Sequence, residues 1–232
     1  MKYTTDILSE IQTWCHYADT VEEIHYGALY NWYAATDVRE ITSAGWHMPT
    51  EADAITLQTY LGGGAVAGGK LKEIGTTYWT TPNTGADNSS GFNAIGAGLR
   101  IDGVYDDFND WVEFWTSNHD PGDPDYSTAP AITYNNTSFY VWSQSEKKIA
   151  GISIRPLEDS TTLTHGRTGT YTGNDGKVYR TICIGTHEWL ADSLAETKYR
   201  DGSAIPVVTD NAACAALVTG AMCYYNNDIS NA

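Results

Sequence analysis

Short blocks of helical and strand periodicity alternate along this chain, with turn residues between them. Over residues 1–24, Ile7, Leu8, Ile11 and Trp14 recur at helical spacing behind Asp6, which predicts a short amphipathic helix that packs on the body or on a neighbouring subunit. From His25 the text YGALYNWYAATD is dense in Tyr and Trp, the composition of a half-buried strand and turn. In GWHMPTEADAITLQTYLGGG, Thr50 is placed to cap a helix and Asp53 to return the bond. Ala54, Leu57 and Leu61 form its core stripe, and the run Gly62 to Gly64 ends it. A second helix is expected over Val66 to Ile74, weakened by Gly68 and Gly69.

From Trp79 the pattern becomes short aromatic strands between turns. Phe139, Val141 and Ser143 alternate with Tyr140 and Trp142, and a polar turn at Ser145 to Lys148 leads to Ile152 and Ile154, which predicts a hairpin. Residues 159–169 are rich in Thr, Ser and Gly and predict a linker. Beyond it, an Asp175-Gly176 turn followed by Val178, Thr181 and Ile182 predicts a second hairpin. The organisation expected is therefore an attachment segment at 1–24, a body at 25–158, the linker at 159–169 and a strand-rich segment at 170–232.

Charge narrows the partners. A formal net charge of −16 with only 13 Lys and Arg opposes nucleic acid, whose affinity rests on basic side chains displacing counterions. Anionic membranes are disfavoured for the same reason. No apolar run reaches the roughly 20 residues that span a bilayer, so membrane insertion is not expected. The start MKYTTDILSEIQTW lacks the basic and apolar blocks of a signal peptide, so ordinary secretion is not expected if Met1 is the natural start.

Candidate chemistry is sparse. Cys15, Cys183, Cys214 and Cys223 show no C-x-x-C spacing, so no zinc site is expected; Cys214 and Cys223 are close enough in sequence for a local disulfide, with reduced thiols the expected state. Asp106, Asp107, Asp110 and Glu113 resemble a glycosidase carboxylate pair less than a solvated acidic loop. The run DPGDPD from Asp120 to Asp125 lacks the loop pattern of a calcium site and is expected to be an acidic turn. His47 and His119 have no partner at motif spacing and are expected to be structural. No catalytic residue, metal or cofactor is predicted.

The strings DGKVYRTICIGTHEWLADSL, KYRDGSAIP, CYYNND, YGALYNWYAA, GWHMPTEAD and GFNAIGAGLR together resemble the Fibrobacter succinogenes major paralogous domain, a family of bacterial surface and phage-associated modules. The resemblance covers nearly everything past residue 24, but in permuted order: the family's second half falls at about 25–158 and its first half at about 170–232. Three arrangements fit that order, namely closure of one chain on itself, exchange of halves between subunits, and a segment cut from a tandem array.

What the resemblance implies is an α+β, C-type-lectin-like fold of short twisted antiparallel strands, two short helices and long loops. It implies a non-enzymatic recognition or adhesion module. The calcium-binding lectins' Glu-Pro-Asn and Trp-Asn-Asp motifs are missing, and no Cys between residues 16 and 182 supports the oxidases of that fold group. The expected partners are a bacterial surface glycan or protein, other copies of the chain in a homotrimer, and other virion proteins; the expected location is a phage particle or a bacterial cell surface. The ligand face is expected on the later strands and loops, at Tyr105, Asp107, Asn109, Trp111, Asn118, Tyr134, Asn135, Asn136, Tyr140 and Trp142, where aromatic rings and amides offer rigid area and adaptable hydrogen bonds.

Overall fold

The computed structural model describes residues 26–141 and 145–231. The helix expected over 1–24 and the candidate Trp142 lie outside the described residues. The architecture is mixed α and β, mostly short strands with few helices, around a curled antiparallel sheet.

The N-terminal half begins with strand β1 (Leu29–Tyr30) and a single helical turn α1 (Trp32–Ala35), which the Asn31 side chain caps by accepting from the Ala34 N–H. Strand β2 (Trp46–His47) leads into helix α2 (Glu51–Tyr60). The expected capping box is present: Thr50 accepts from the Asp53 N–H, and the Asp53 carboxylate accepts from the Thr50 N–H. Ala54, Leu57 and Leu61 are buried, as their spacing predicts. Helix α3 (Gly64–Leu71) follows directly, two residues earlier than expected.

The two glycines inside α3 have a packing reason. A Cβ on Gly68 would sit 2.1 Å from the Ser138 carbonyl oxygen, and one on Gly69 would sit 2.5 Å from that of Gly85. Backbone meets backbone there, so the helix trades propensity for close approach to β8 (Phe139–Tyr140) and its preceding turn. Substituting Gly68→Ala is expected to destabilise the protein by about 1–3 kcal/mol, the usual range for overpacking. Urea titration of the variant would show this as a lower midpoint at an unchanged slope.

Strands β3 (Leu99–Ile101) and β4 (Val104–Asp106) form a hairpin. Strands β5 (Trp111–Glu113), β7 (Ala131–Thr133) and β8 form a three-stranded sheet, while β6 (Tyr126–Thr128) pairs with β9 (Ser145–Lys147). Among the described residues, the two arms of the hairpin expected over 139–154 do not pair with each other. β8 turns back on β7, through Ala131↔Tyr140 and Ile132↔Phe139, and the stretch after β9 bridges elsewhere, Ile152 to Tyr30 and Ser153 to Phe114. Alternation identified extended backbone but not its partner, because strand pairing here is set by burial: Ile152 and Ile154 are fully buried in a core cluster shared with Tyr30 and Trp115.

The second half supplies most of the largest sheet. β11 (Thr168–Thr172), β12 (Val178–Ile184) and β13 (His187–Leu190) continue into β10 (Leu157–Glu158) and then β2, in the order β11-β12-β13-β10-β2. The hairpin around Asp175-Gly176 is present, with β11 and β12 in register from Thr168↔Ile182 to Thr172↔Val178. Residues 159–167 do not hang free. Gly166 N–H donates to the Cys183 carbonyl, and Thr161 Oγ1 donates to Glu188 Oε2. After the one-turn helix α4 (Asn211–Ala215), β14 (Met222–Cys223) pairs with β1.

In the single chain described, the two segments pack against each other. The seam includes Ala28 N–H to Leu194 O at 2.8 Å, Asn31 N–H to Ala221 O at 3.1 Å and Leu190 N–H to Pro156 O at 3.0 Å. Arg155, fully buried, crosses it: its guanidinium lies 4.8 Å from the Phe92 ring and donates to the carbonyls of Phe92, Asn93 and Leu190. Burial pushes this guanidinium down to about 9. The ends of the described chain also meet. Tyr26 packs on Phe108, Phe108 stacks on Tyr225 at 4.3 Å, and Asn231 Nδ2 donates to the Tyr225 carbonyl.

Candidate functional site

The predicted ligand face divides into three places. Tyr105, Asp107, Asn109 and Trp111 surround the contact between the chain's two ends. Tyr105 donates its hydroxyl to Asn227 Oδ1 at 2.7 Å, and Asn109 Oδ1 accepts from the Tyr26 hydroxyl at 2.8 Å. The Trp111 indole donates to Glu113 Oε1 at 2.9 Å. Asp107 is exposed; partial burial, then Asp106 and Asp110, push its carboxyl up. Apart from Asp107, each of these side chains has a polar atom bonded to another residue of the chain.

Tyr134, Asn135 and Asn136 form the turn between β7 and β8, with Tyr140 at the end of β8. The Asn136 amide donates to Thr133 Oγ1 and to Asn135 Oδ1, and its own oxygen accepts from the Ser138 N–H. The backbone of this turn wraps a buried ammonium: Lys72 Nζ donates to the carbonyls of Thr84, Thr133 and Asn136 at 2.9–3.0 Å. Burial pushes Lys72 down to about 8. Asn118 lies apart from both groups, where its side-chain oxygen accepts from the Glu51 N–H at the start of α2. The nine described positions therefore fall in three separate places.

A different place has the form of a binding site. Residues 35–50 and Ser117 line an open cleft of about 580 Å³, within the roughly 300–1,000 Å³ of small-ligand sites. Trp46 and Met48 give it apolar wall; Thr36, Asp37, Thr42, Thr50 and Ser117 give it hydroxyl and carboxylate groups. His47 is half-exposed in this wall. Its Nδ1 is 2.6 Å from Asp159 Oδ1 and its Nε2 is 3.8 Å from Asp53 Oδ2, the carboxylate that closes the capping box of α2. The imidazole is thereby fixed in orientation by two acids from different elements.

The wall is held from behind by the C-terminal segment. Tyr171 packs edge-on against Trp46 at 4.9 Å, and its hydroxyl accepts from the Ser43 N–H. Asn174 Nδ2 donates to the Ile41 carbonyl, and Arg200 donates to the carbonyls of Thr42 and Ser43 while its guanidinium pairs with Glu40. Glu40 takes a positive φ of 56°, a strained choice for a side chain with a Cβ, and the Arg200 contacts hold it there. A loop clamped at this many points presents the same donors and acceptors before and after a ligand arrives, which lowers the ordering cost of binding.

From sequence, His47 of the GWHMPT string is expected to be structural, and its partner is invisible locally: Asp159 is 112 residues from His47. His119 also has structural company, 2.7 Å from the buried Lys148 ammonium and 4.7 Å from the Trp32 ring. Among the described residues, no group of three His, Cys, Asp or Glu side chains could hold a metal ion, and no helix is long and apolar enough to cross a membrane.

Comparison with known proteins agrees with the strings YGALYNWYAA, GWHMPTEAD and GFNAIGAGLR of the front portion, while the strings after residue 170 lie outside the match. The family model described as Fibrobacter succinogenes major domain matches residues 2–157. No curated protein and no solved structure matches the chain.

Proposed function

Because the chain belongs to the Fibrobacter succinogenes major domain family, we propose that it is a non-catalytic recognition module of the C-type-lectin-like class that takes a bacterial surface glycan or protein into the cleft around His47. The observation that carries this reading is the clamped wall itself: an open cleft of mixed polar and apolar lining whose loop is bonded at Ile41, Thr42 and Ser43 by side chains from β11 onward. Hydroxyls, carboxylates and an oriented imidazole beside Trp46 and Met48 suit a polyol, or a polar peptide loop, better than a phosphate-rich ligand. The cleft replaces the later strands and loops as the ligand face we favour, since most of those side chains are bonded internally.

The setting we propose is a bacteriophage fibre or decoration protein, or the surface of a bacterial cell, with the chain assembled as a homotrimer. Closure of the two segments within one chain favours self-contained subunits over exchanged halves.

Binding to a glycan array and to whole bacterial cells tests the site. His47→Ala and Ser117→Arg, the second filling the cleft, are each expected to weaken binding at least about tenfold, a loss of about 1.4 kcal/mol, with no change in melting temperature. Exposed Asn135→Ala is expected to leave binding intact. Binding that survives both cleft variants but disappears with Tyr134→Ala would return the ligand face to the β7–β8 turn. Silence of the unaltered protein on every surface would favour a purely structural role in an assembly.

A further inference from the structure

Two cysteines in the C-terminal segment line a common small pocket. Cys214 lies on α4 and Cys223 on β14, which is paired with β1; both are free and buried, at 7% and 4% exposure. Together with Arg100, Gly151, Leu217 and Met222 they line a cavity of about 10 Å³, hardly room for one water. Two cysteines that line so small a space are close neighbours, and α4 is the element that would move to bring their sulfurs together.

Arg100 links the two thiols mechanically. Its guanidinium donates to Val208 O at 2.6 Å, to Thr209 O at 3.0 Å and to Asn211 Oδ1 at 2.8 Å, and so holds the chain that leads into α4. Apart from these bonds, α4 is a five-residue helix capped only by the Asp210 side chain, and every residue in it except Cys214 is exposed. It is the kind of light element that can shift by the small amount a disulfide's fixed geometry demands.

We propose that Cys214 and Cys223 are a disulfide-forming pair, reduced in the structure described and cross-linked when the protein meets a small-molecule disulfide such as oxidised glutathione. The Cys214 thiolate attacks one sulfur of glutathione disulfide and expels one glutathione thiolate. The Cys223 thiolate then attacks the Cys214 sulfur of the mixed disulfide and expels the second. Two electrons pass from the protein to glutathione disulfide, and the two thiol protons end on the two released glutathiones. The bond closes the loop from 214 to 223 and fastens α4 to β14, hence to β1, so that the last segment of the chain can no longer peel away.

Burial pushes both thiols up, against the opposing pull of Arg100. Reaction is therefore expected to be faster at about pH 9 than at about pH 7, because the thiolate is the attacking species.

Incubating the whole native chain with oxidised glutathione, followed by digestion and mass spectrometry, tests the pairing. The expected product has lost two hydrogens, carries a Cys214–Cys223 cross-linked peptide, resists maleimide at both positions and melts at least about 4 °C higher. Cys15→Ser with Cys183→Ser should leave the cross-link, and Cys214→Ser should abolish both it and the thermal gain. A cross-link confined to other cysteines overturns the proposal. So does a protein that gives only glutathione adducts, or whose Cys214 and Cys223 are still both labelled by maleimide once the oxidised sample is unfolded.

Discussion

A chain ended after Gly169 is expected to lose cooperative melting altogether and to bind a hydrophobic dye at room temperature. The cut removes β12, β13, β14 and most of β11, so β10 and β2 keep only each other in the largest sheet. Among the side chains lost are Ile182, Ile184, Leu190, Leu194, Ile205 and Met222, each no more than 5% exposed in the intact protein. Burying one such side chain is worth about 1.5–3 kcal/mol, so six supply at least about 9 kcal/mol, set against a typical net stability of about 5–15 kcal/mol.

The loss is not only apolar. Arg155 would keep its charge without the Leu190 carbonyl, and Ala28 and Asn31 would lose the acceptors of their N–H groups, each a buried polar group with a penalty of its own. Adding residues 170–232 as a separate polypeptide should restore a single melting transition, because the seam is made of ordinary noncovalent contacts. A truncated chain that stays soluble and melts cooperatively by itself would show that the front portion buries its interior unaided.

What was legible in the sequence was local. The capping box of Thr50 and Asp53, the stripe Ala54, Leu57, Leu61 and the Asp175-Gly176 hairpin each depend on residues a few positions apart, and each is found where its pattern places it. The pairing of β8 was misjudged because a two-residue strand carries too little text to name its neighbour; burial of Ile152 against Tyr30 decides it instead. The His47 cleft was illegible for the same reason on a larger scale. Its walls come from residues 35–50, its acid from Asp159 and its support from Tyr171, Asn174 and Arg200. Aromatic and amide density drew attention to Tyr105, Asn109 and Trp111, but density does not distinguish a ring aimed at a ligand from one that seats the chain's own tail.

Stability is expected to fall as pH rises from about 5 to about 9, and Glu113→Gln is expected to remove much of that fall. Glu113 on β5 is 1% exposed; Trp111 donates to its Oε1, and its Oε2 has no partner. Burial, then the nearby Glu146 on β9, and to a smaller degree Asp107, push the carboxyl up to about 8. Below the ordinary glutamate value near 4.3 both folded and unfolded chains hold the proton, and the contribution to stability is complete. Between there and about 8 the unfolded chain releases a proton that the folded chain keeps, so stability declines until the folded carboxyl also ionises. At about 1.4 kcal/mol per pH unit over the roughly 3 units between pH 5 and about 8, the decline assignable to this residue is on the order of 4 kcal/mol. Glu196, pushed up to about 8 by burial and by Asp175, acts in the same direction, whereas Asp175, drawn down to about 2, titrates below this window. Glutamine keeps an acceptor for the Trp111 indole and carries no charge at any pH, so the variant should melt higher than the parent at about pH 9 and match it at about pH 5. Parallel pH profiles for the two proteins would place the unpaired oxygen in contact with water and remove Glu113 from the account.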